Sequence, residues 1–436
     1  MPDQPQRSPC DVREEGFADR AALSVAIAWV DRHARISGAE SVALDAAAGR
    51  ILAQPFLSPA DLPPTDTAVN DGYALRSCET VGADSYNPLL FCLQDYEPAL
   101  RPFSATLVTC GTPLPMGADA VAPFDVAQAA PGTVSLISSV APGEGVNLQG
   151  QEASRGAPLI ESSRPLRPSD LAVIASFGIK RVSVIRRPQV RIILAGNKLA
   201  ASKLSPDLKP ADANGPMLRA QVLRDGGAVE LFRYGVSGRA ALADCIARPG
   251  ADVVLLCGRT GTGLDDVAPL ALADAGTLSL HGIAVSPGGS TGMGSIGQVP
   301  VVLLPGSPLD CLFAYDLFAG RLIRNLSGRP SPLPYRIHQA TLARKIVSSI
   351  GTVELCRVRL VAGEAIPMGS ADSGGLTSVA RADGFLLIPS TLEGYAPGAI
   401  VDVYTYDEVW GPVDAPVDGA AGGAADDTVE GEGIRR

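Results

Sequence analysis

At 436 residues the chain exceeds what one hydrophobic core serves, so three or four domains, and clefts between them, are expected. Apolar residues make up 46% and charged residues 19%, and no apolar run nears the roughly 20 residues that cross a bilayer. A net charge of −10 and a pI near 4.9 disfavour nucleic acid and other polyanions, while a small anion is still bindable through backbone amides.

Residues 1–20 are charged and lack an apolar stretch before a small-residue cleavage site. They read as a flexible tail and not as a secretory signal, which points to the cytoplasm. Ala21–Arg35 carries Ala22, Val25, Ala26, Trp29 and Val30 at helical spacing, and a short strand follows around Ser41–Leu44. Residues 56–142 are rich in Pro and Gly, with β-like runs at Ala105–Thr109 and Ala120–Pro123, and read as a β domain. Ser169–Phe177 reads as a helix opening on a Ser cap. The flanks 21–55 and 143–185 are expected to rejoin as one elongated linker domain.

From residue 186 to 330 strands and helices alternate. Val190–Leu194, Ala228–Phe232, Asp252–Leu256 and Pro300–Leu304 read as strands, Met217–Arg224 and Arg239–Ile246 as helices. That alternation predicts a doubly wound, mostly parallel α/β sheet, whose ligands bind beyond the carboxyl ends of the strands. Three strands run into polar, Gly-bearing loops there: Ala195-Gly-Asn-Lys198, Cys257-Gly-Arg-Thr-Gly-Thr-Gly-Leu-Asp-Asp266 and Pro305-Gly-Ser-Pro308. Residues 331–408 alternate β-like runs with turns, as a small barrel or sandwich does, and 409–436 read as a disordered tail. Eight cysteines without a C-x-x-C pair and three histidines argue against a disulfide framework and a structural zinc site.

The segment Asp61–Leu75 stands apart. Pro63 and Pro64 rigidify a loop that presents Asp66 and Asp71 just ahead of a short strand, a placement suited to a site, although Asp-capped turns look similar.

Several stretches occur together in the order seen in one family. They are Pro63-Pro-Thr-Asp-Thr-Ala-Val-Asn-Asp-Gly-Tyr-Ala74, Gly111-Thr-Pro-Leu-Pro-Met-Gly-Ala-Asp-Ala-Val121, Leu171–Gly178, Asp212-Ala-Asn214 with Met217-Leu218, His281-Gly-Ile-Ala284 with Pro287-Gly288, and Leu304-Pro-Gly306. From about residue 20 to 408 the chain resembles molybdopterin molybdotransferases, relatives of the gephyrin E domain. The resemblance implies an α/β domain of molybdopterin-binding type with β-rich domains and a C-terminal β-barrel. It also implies a homodimer whose active site lies between the α/β domain of one subunit and the Pro-rich β domain of the other. The reaction implied is Mg²⁺-dependent: adenylylated molybdopterin is cleaved, AMP leaves and molybdate enters the dithiolene. A molybdoenzyme and the upstream adenylyltransferase are the protein partners it suggests.

Cleaving a phosphoanhydride calls for carboxylates to hold Mg²⁺ and orient water. The resemblance assigns that work to Asp66, Asp71, Glu152 and Asp266, with Asp71 and Asp266 on the metal. Binding of the pterin nucleotide falls to Gly258, Arg259, Thr260, Gly261, Thr262, Gly263, Asn214, Ser286, Gly288, Gly306 and Ser307. The anion-binding loops depart from the family. Where it reads Lys-Pro-Gly-Lys-Pro, this chain has Ser286-Pro-Gly-Gly-Ser290, and its Pro-Gly-Asn-Pro is Pro305-Gly-Ser-Pro308 here. An Arg expected before Glu152 is absent, with Asn147 and Gln149 nearby, while Arg259 and Lys198 add cations. Each lost phosphate contact removes a charge-assisted hydrogen bond of roughly 1.5–3 kcal/mol. Three readings follow: an active transferase, a carrier of molybdopterin or the finished cofactor that no longer turns over, and a dimeric scaffold. Cys110, Cys257 and His281 read as structural residues, the two cysteines as small buried packing.

Overall fold

The computed structural model describes residues 11–162, 164–196, 212–236, 238–369 and 375–406; Lys198 and the tail 409–436 lie outside them. The chain sorts into two compact units, one of Ala34–Pro188 with Arg324–Ser331, the other of Met1–His33, Gln189–Ile323 and Pro332–Arg436.

In the first unit distant stretches pair. Strand Ala39–Ala43 runs antiparallel to Arg181–Ile185, from Ala39 opposite Ile185 to Ala43 opposite Arg181, and Phe56–Leu57 pairs with Pro158–Ile160. Leu52, Ile160, Leu166, Ile174, Val182 and Val184 form the core between them. The helix there spans Pro168–Ser176, so Ser169 is not its cap. Pro168 takes the first helical position, where its missing N–H costs nothing, and Asp170 accepts the Arg167 N–H at 2.7 Å. Inserted between these pairs is a six-stranded sheet in the order Ala120–Pro123, Gly72–Leu75, Ser104–Val108, Leu89–Gln94, Thr133–Leu136, Ala127–Ala130. Tyr73, Leu75, Phe91, Ala105, Val134 and Leu136 fill its core. Gly72 admits no side chain, since a Cβ would strike the Ala122 carbonyl on the neighbouring strand.

The second unit holds the α/β sheet. Its strands are β1 (Gln189–Ala195), β2 (Ala228–Val236), β3 (Val253–Cys257), β4 (Thr277–His281), β5 (Gly292–Ile296) and β6 (Val299–Leu304). They lie in the order β2-β1-β3-β6-β5-β4; the first four are parallel, and β5 and β4 complete the sheet antiparallel. Every residue of β3 is buried, as a strand covered on both faces requires. Helices α1 (Asn214–Arg224), α2 (Arg239–Ile246), α3 (Ala268–Ala275) and α4 (Pro308–Ala314) supply the covers. On one face Leu242 and Ile246 of α2 and Ala271 and Leu272 of α3 meet Val254, Leu256, Val301 and Leu303. On the other, α4 reaches β3 through Cys311, whose Sγ lies 3.6 Å from that of Cys257. Helix α1 starts a turn earlier than its apolar spacing indicates, because Asp212 accepts the Gly215 N–H at 2.9 Å and caps it. Neither α3 nor the β4–β5 hairpin was legible from periodicity.

The C-terminal strands β7 (Arg336–Leu342), β8 (Val353–Val361), β9 (Glu364–Pro367), β10 (Gly384–Ile388) and β11 (Ile400–Thr405) form a closed barrel in the order β8-β9-β7-β11-β10, with β10 returning to β8. Strand β8 is longer than its partner β9, which meets only Val358–Val361. Opposite its start, Val285–Ser286 from the α/β domain adds a short parallel strand against Val353–Glu354.

A polar cluster binds α1 to Tyr335, the residue that leads into the barrel's first strand. Buried Asp316 accepts from Arg224 at 2.6 Å, Gln221 at 3.2 Å and the Tyr335 hydroxyl at 2.6 Å, and Arg224 also pairs with Asp225 at 2.9 Å. Burial, and then Asp316, pushes the Tyr335 phenol well above its ordinary range, which keeps it a donor. Asp316→Ala removes the acceptor that three donors share and is expected to lower stability by about 3 kcal/mol in chemical denaturation. A loss below about 1 kcal/mol would show that the cluster does not hold α1 to Tyr335.

Candidate functional site

The cavity begins where β1, β3 and β6 end. Helix α1 takes the chain from the end of β1 to the edge strand β2, whereas α3 takes it from the end of β3 to β4 at the opposite edge. The connections therefore leave in opposite directions at the β1/β3 crevice, the switch point at which such sheets bind ligands. A cavity of about 820 Å³ opens there.

Gly258 makes the close approach possible. Its N–H donates to Leu304 O of β6 at 2.8 Å, its φ is +97°, and a Cβ would collide with the Ala195 carbonyl ending β1. Arg259 follows in the left-handed region at φ +59°, and the chain turns outward. Asp266 then folds back into its own loop: Oδ2 accepts the Gly263 N–H at 2.8 Å and would lie 2.6 Å from a Cβ on Gly261. On the far wall Asn214 donates to Gly306 O at 3.0 Å and to Cys257 Sγ at 3.2 Å, while its Oδ1 is buried without a partner.

Of the residues singled out by sequence, Gly258, Arg259, Thr260, Gly261, Asp266, Asn214, Gly306 and Ser307 line the cavity. Thr262, Gly263, Ser286 and Gly288 do not. Ser286 pairs in the short strand against Glu354, and Gly288 donates to Asp310 Oδ1 at 2.7 Å. Asp212, Asp265, Asp310 and Ser290 join the lining unannounced, Ser290 through a 3.1 Å hydroxyl contact with Thr260. Asp212 stood in view inside Asp212-Ala-Asn214; its carboxylate beside a helix start was the available signal. Arg259 is less free than its sequence position implies. Its Nη1 donates to Asp265 O at 2.7 Å, and its Nε is buried with no partner.

The other acids lie in the first unit, where the antiparallel pairing of Val146–Asn147 with Thr67–Ala68 draws together three loops. Asp66 accepts the Gln149 N–H at 2.8 Å, Asp71 the Cys110 N–H at 2.7 Å, and Glu152 the Asn147 side chain at 3.2 Å. Each carboxylate keeps its second oxygen free of these bonds. Cys110 is exposed, which corrects its reading as buried packing, whereas Cys257 is buried as expected. Cys110 belongs to a polar loop, so its backbone and not its thiol does the observed work.

Among the described residues no three His, Cys, Asp or Glu side chains gather as a ready metal cage. The cavity nevertheless offers four carboxylates and two buried unpartnered oxygens, Asp212 Oδ2 and Asn214 Oδ1. Hard oxygen donors with room for substrate phosphates suit Mg²⁺, which commonly takes only one or two protein carboxylates.

Three family descriptions match in chain order: "MoeA N-terminal region (domain I and II)" over residues 21–178, "Probable molybdopterin binding domain" over 191–325 and "MoeA C-terminal region (domain IV)" over 339–406. The second covers the cavity. "Molybdopterin molybdenumtransferase 2" of Mycobacterium tuberculosis is 29% identical over 392 residues, spanning 84% of this chain and 94% of that protein. A putative molybdopterin biosynthesis protein of Methanocaldococcus jannaschii is 29% identical over 371 residues, 82% and 90% of the two chains. A crystal structure of a molybdopterin biosynthesis moeA protein from Pyrococcus horikosii superposes with a TM-score of 0.75 at 30% identity, covering 89% of this chain and all of the other.

His281, beneath the loop, adds a pH dependence. Its Nε2 is 2.8 Å from Thr260 O and must donate to it, leaving Nδ1 buried without a partner. Burial lowers its pKa below the ordinary 6.5, against smaller raising effects of Thr260 and Asp266. A lowered folded-state value means stability is full above pH 6.5 and falls as the pH drops toward that value. Melting temperatures from pH 7 to 5 should fall more steeply for the native chain than for His281→Gln; parallel profiles would refute this. Gly258→Ala should cost about 2 kcal/mol or more, since it adds a collision to a left-handed backbone. A native-like melting temperature would show that β1 and β3 can separate.

Proposed function

The chain belongs to the MoeA family of molybdopterin biosynthesis proteins, and we propose that it inserts molybdate into adenylylated molybdopterin with release of AMP. The observation that carries this reading is the cavity at the β1/β3 switch point inside the molybdopterin-binding domain, ringed by three Gly-bearing loops. A pterin nucleotide fits its volume, and the loops approach without side chains in the way.

In this reading Gly258 and Gly261 let the loop backbone approach the diphosphate, Asn214 and Ser307 orient the pterin end, and Asp266 orients the attacking group. Mg²⁺, bound by Asp266 and Asp71, would neutralise the diphosphate and help the AMP phosphate leave. Four lining carboxylates against one arginine supply the reason a cation is needed, because a multiply charged anion meets repulsion there without one. The protein acts as a cytoplasmic homodimer in which Asp66, Asp71 and Glu152 of one subunit serve the cavity of the other.

A second reading is favoured by one observation. The guanidinium of Arg259 is engaged by its own loop at Asp265, and Ser286 and Gly289 stand where the family resemblance places its two lysines, so the cavity suits retention of molybdopterin without turnover. The two readings separate on AMP release from adenylylated molybdopterin with Mg²⁺ and molybdate. Release that needs both additives supports the transferase, and Asp266→Asn and Asp71→Asn should each lower kcat at least about 100-fold with folding intact. Retention of the pterin with no AMP released would leave the carrier. Wild-type rates in both variants would remove these two residues from the mechanism.

A further inference from the structure

Residues 11–20 precede the family match, which begins at residue 21, yet they lie directly against the Cys257–Asp266 loop. Three alternate carbonyls of that loop are satisfied from outside it. Thr260 O accepts from His281 Nε2 at 2.8 Å, Thr262 O from the Glu14 N–H at 2.8 Å, and Leu264 O from Arg13 Nη1 at 3.2 Å. Arg13 is itself held by Asp11 through two 2.7 Å contacts. Phe17 meets the His281 ring edge-on with centroids 4.9 Å apart and fills the place a Cβ on Gly282 would need; Arg20 stacks over Phe17 at 5.4 Å. Beyond this, Ala21 bridges to Ile283, so the segment is pinned at both ends.

We propose that the segment Asp11–Arg20 is a positioning strap that sets the glycine-rich loop for binding an anionic ligand, with Phe17 and Arg13 as its working residues. The physical need is plain. Gly258, Gly261 and Gly263 give the loop a large conformational freedom that ligand binding has to remove. Loop carbonyls also carry the wrong sign for an anion, and anchoring 260, 262 and 264 to donors outside the loop keeps them occupied. The relay runs from Phe17 to the His281 ring, from His281 to Thr260 O, and from Thr260 Oγ1 to Ser290 on the cavity wall. None of the strap residues lines the cavity, so the strap acts through the loop and not on the substrate.

The inference rests on the cavity being the pterin nucleotide site, and two measurements keep it separable from that reading. In hydrogen exchange on the full chain, Phe17→Ala and Arg13→Ala should each speed exchange of the 258–266 amides about tenfold, with the barrel unchanged and Phe17→Tyr close to native. In AMP release, the same alanine variants should raise KM for adenylylated molybdopterin about three- to tenfold while kcat stays within about twofold. Unchanged loop exchange in both variants overturns the strap, whether or not the protein releases AMP. Faster exchange with unchanged KM overturns its positioning role. An absence of AMP release by the native chain defeats the transferase reading alone, and KM is then replaced by the dissociation constant of molybdopterin, with the same expected rise.

Discussion

The site depends on one close approach, that of the Gly258 backbone to the Ala195 carbonyl at the carboxyl edge of the sheet. A parallel sheet twists, and its strand ends spread unless something ties them. Here β3 ends on a glycine whose N–H is taken by Leu304 of β6, while its missing side chain lets the last carbonyl of β1 lie against it. Gly306 completes the gathering, with its own Cβ position 3.3 Å from the Gly258 Cα. The left-handed turn at Gly258 and Arg259 follows from that geometry, and it throws the loop outward far enough to enclose a ligand-sized space.

Charge then governs what the space accepts. Asp212, Asp265, Asp266 and Asp310 line it, and three of them are half spent on structure. Asp212 caps α1, Asp266 closes its own loop, and Asp310 holds the Gly288 turn. Each of these keeps an oxygen in reserve. An acid serving both as a turn device and as a cavity wall holds its rotamer without a partner side chain, which is the preorganisation that a site for a highly charged ligand needs.

Much of this architecture is written in periodicity. Val190–Leu194, Asp252–Leu256 and Pro300–Leu304 are apolar apart from Arg191 and Asp252 because they are buried on both faces, and each emerged as a strand within a residue of its expected limits. What stayed hidden is local or non-local in ways periodicity does not record. Ala268–Ala275 is so apolar on all sides that no helical stripe stands out, and β4 and β5 alternate weakly around Gly292 and Gly294. Among site residues, the glycines after β3 were visible because they follow a buried strand. Asp310 was not, because its place beside Gly288 comes from tertiary contact across 22 positions of chain. The strap reads as a flexible tail in sequence because its charges mask a few well-placed contacts.

The short strand Val285–Ser286 makes the barrel a borrower. Strand β8 meets β9 only over its last four residues, and at its start the exposed ladder is completed by the α/β domain. Cut free, the barrel would present bare amides and carbonyls along the beginning of its longest strand, next to the exposed side chains of Val347 and Ile350, a template for joining other chains. Synthesis runs in the protective direction: residue 285 leaves the ribosome before residue 353, so the covering strand is already made when the edge that needs it arrives.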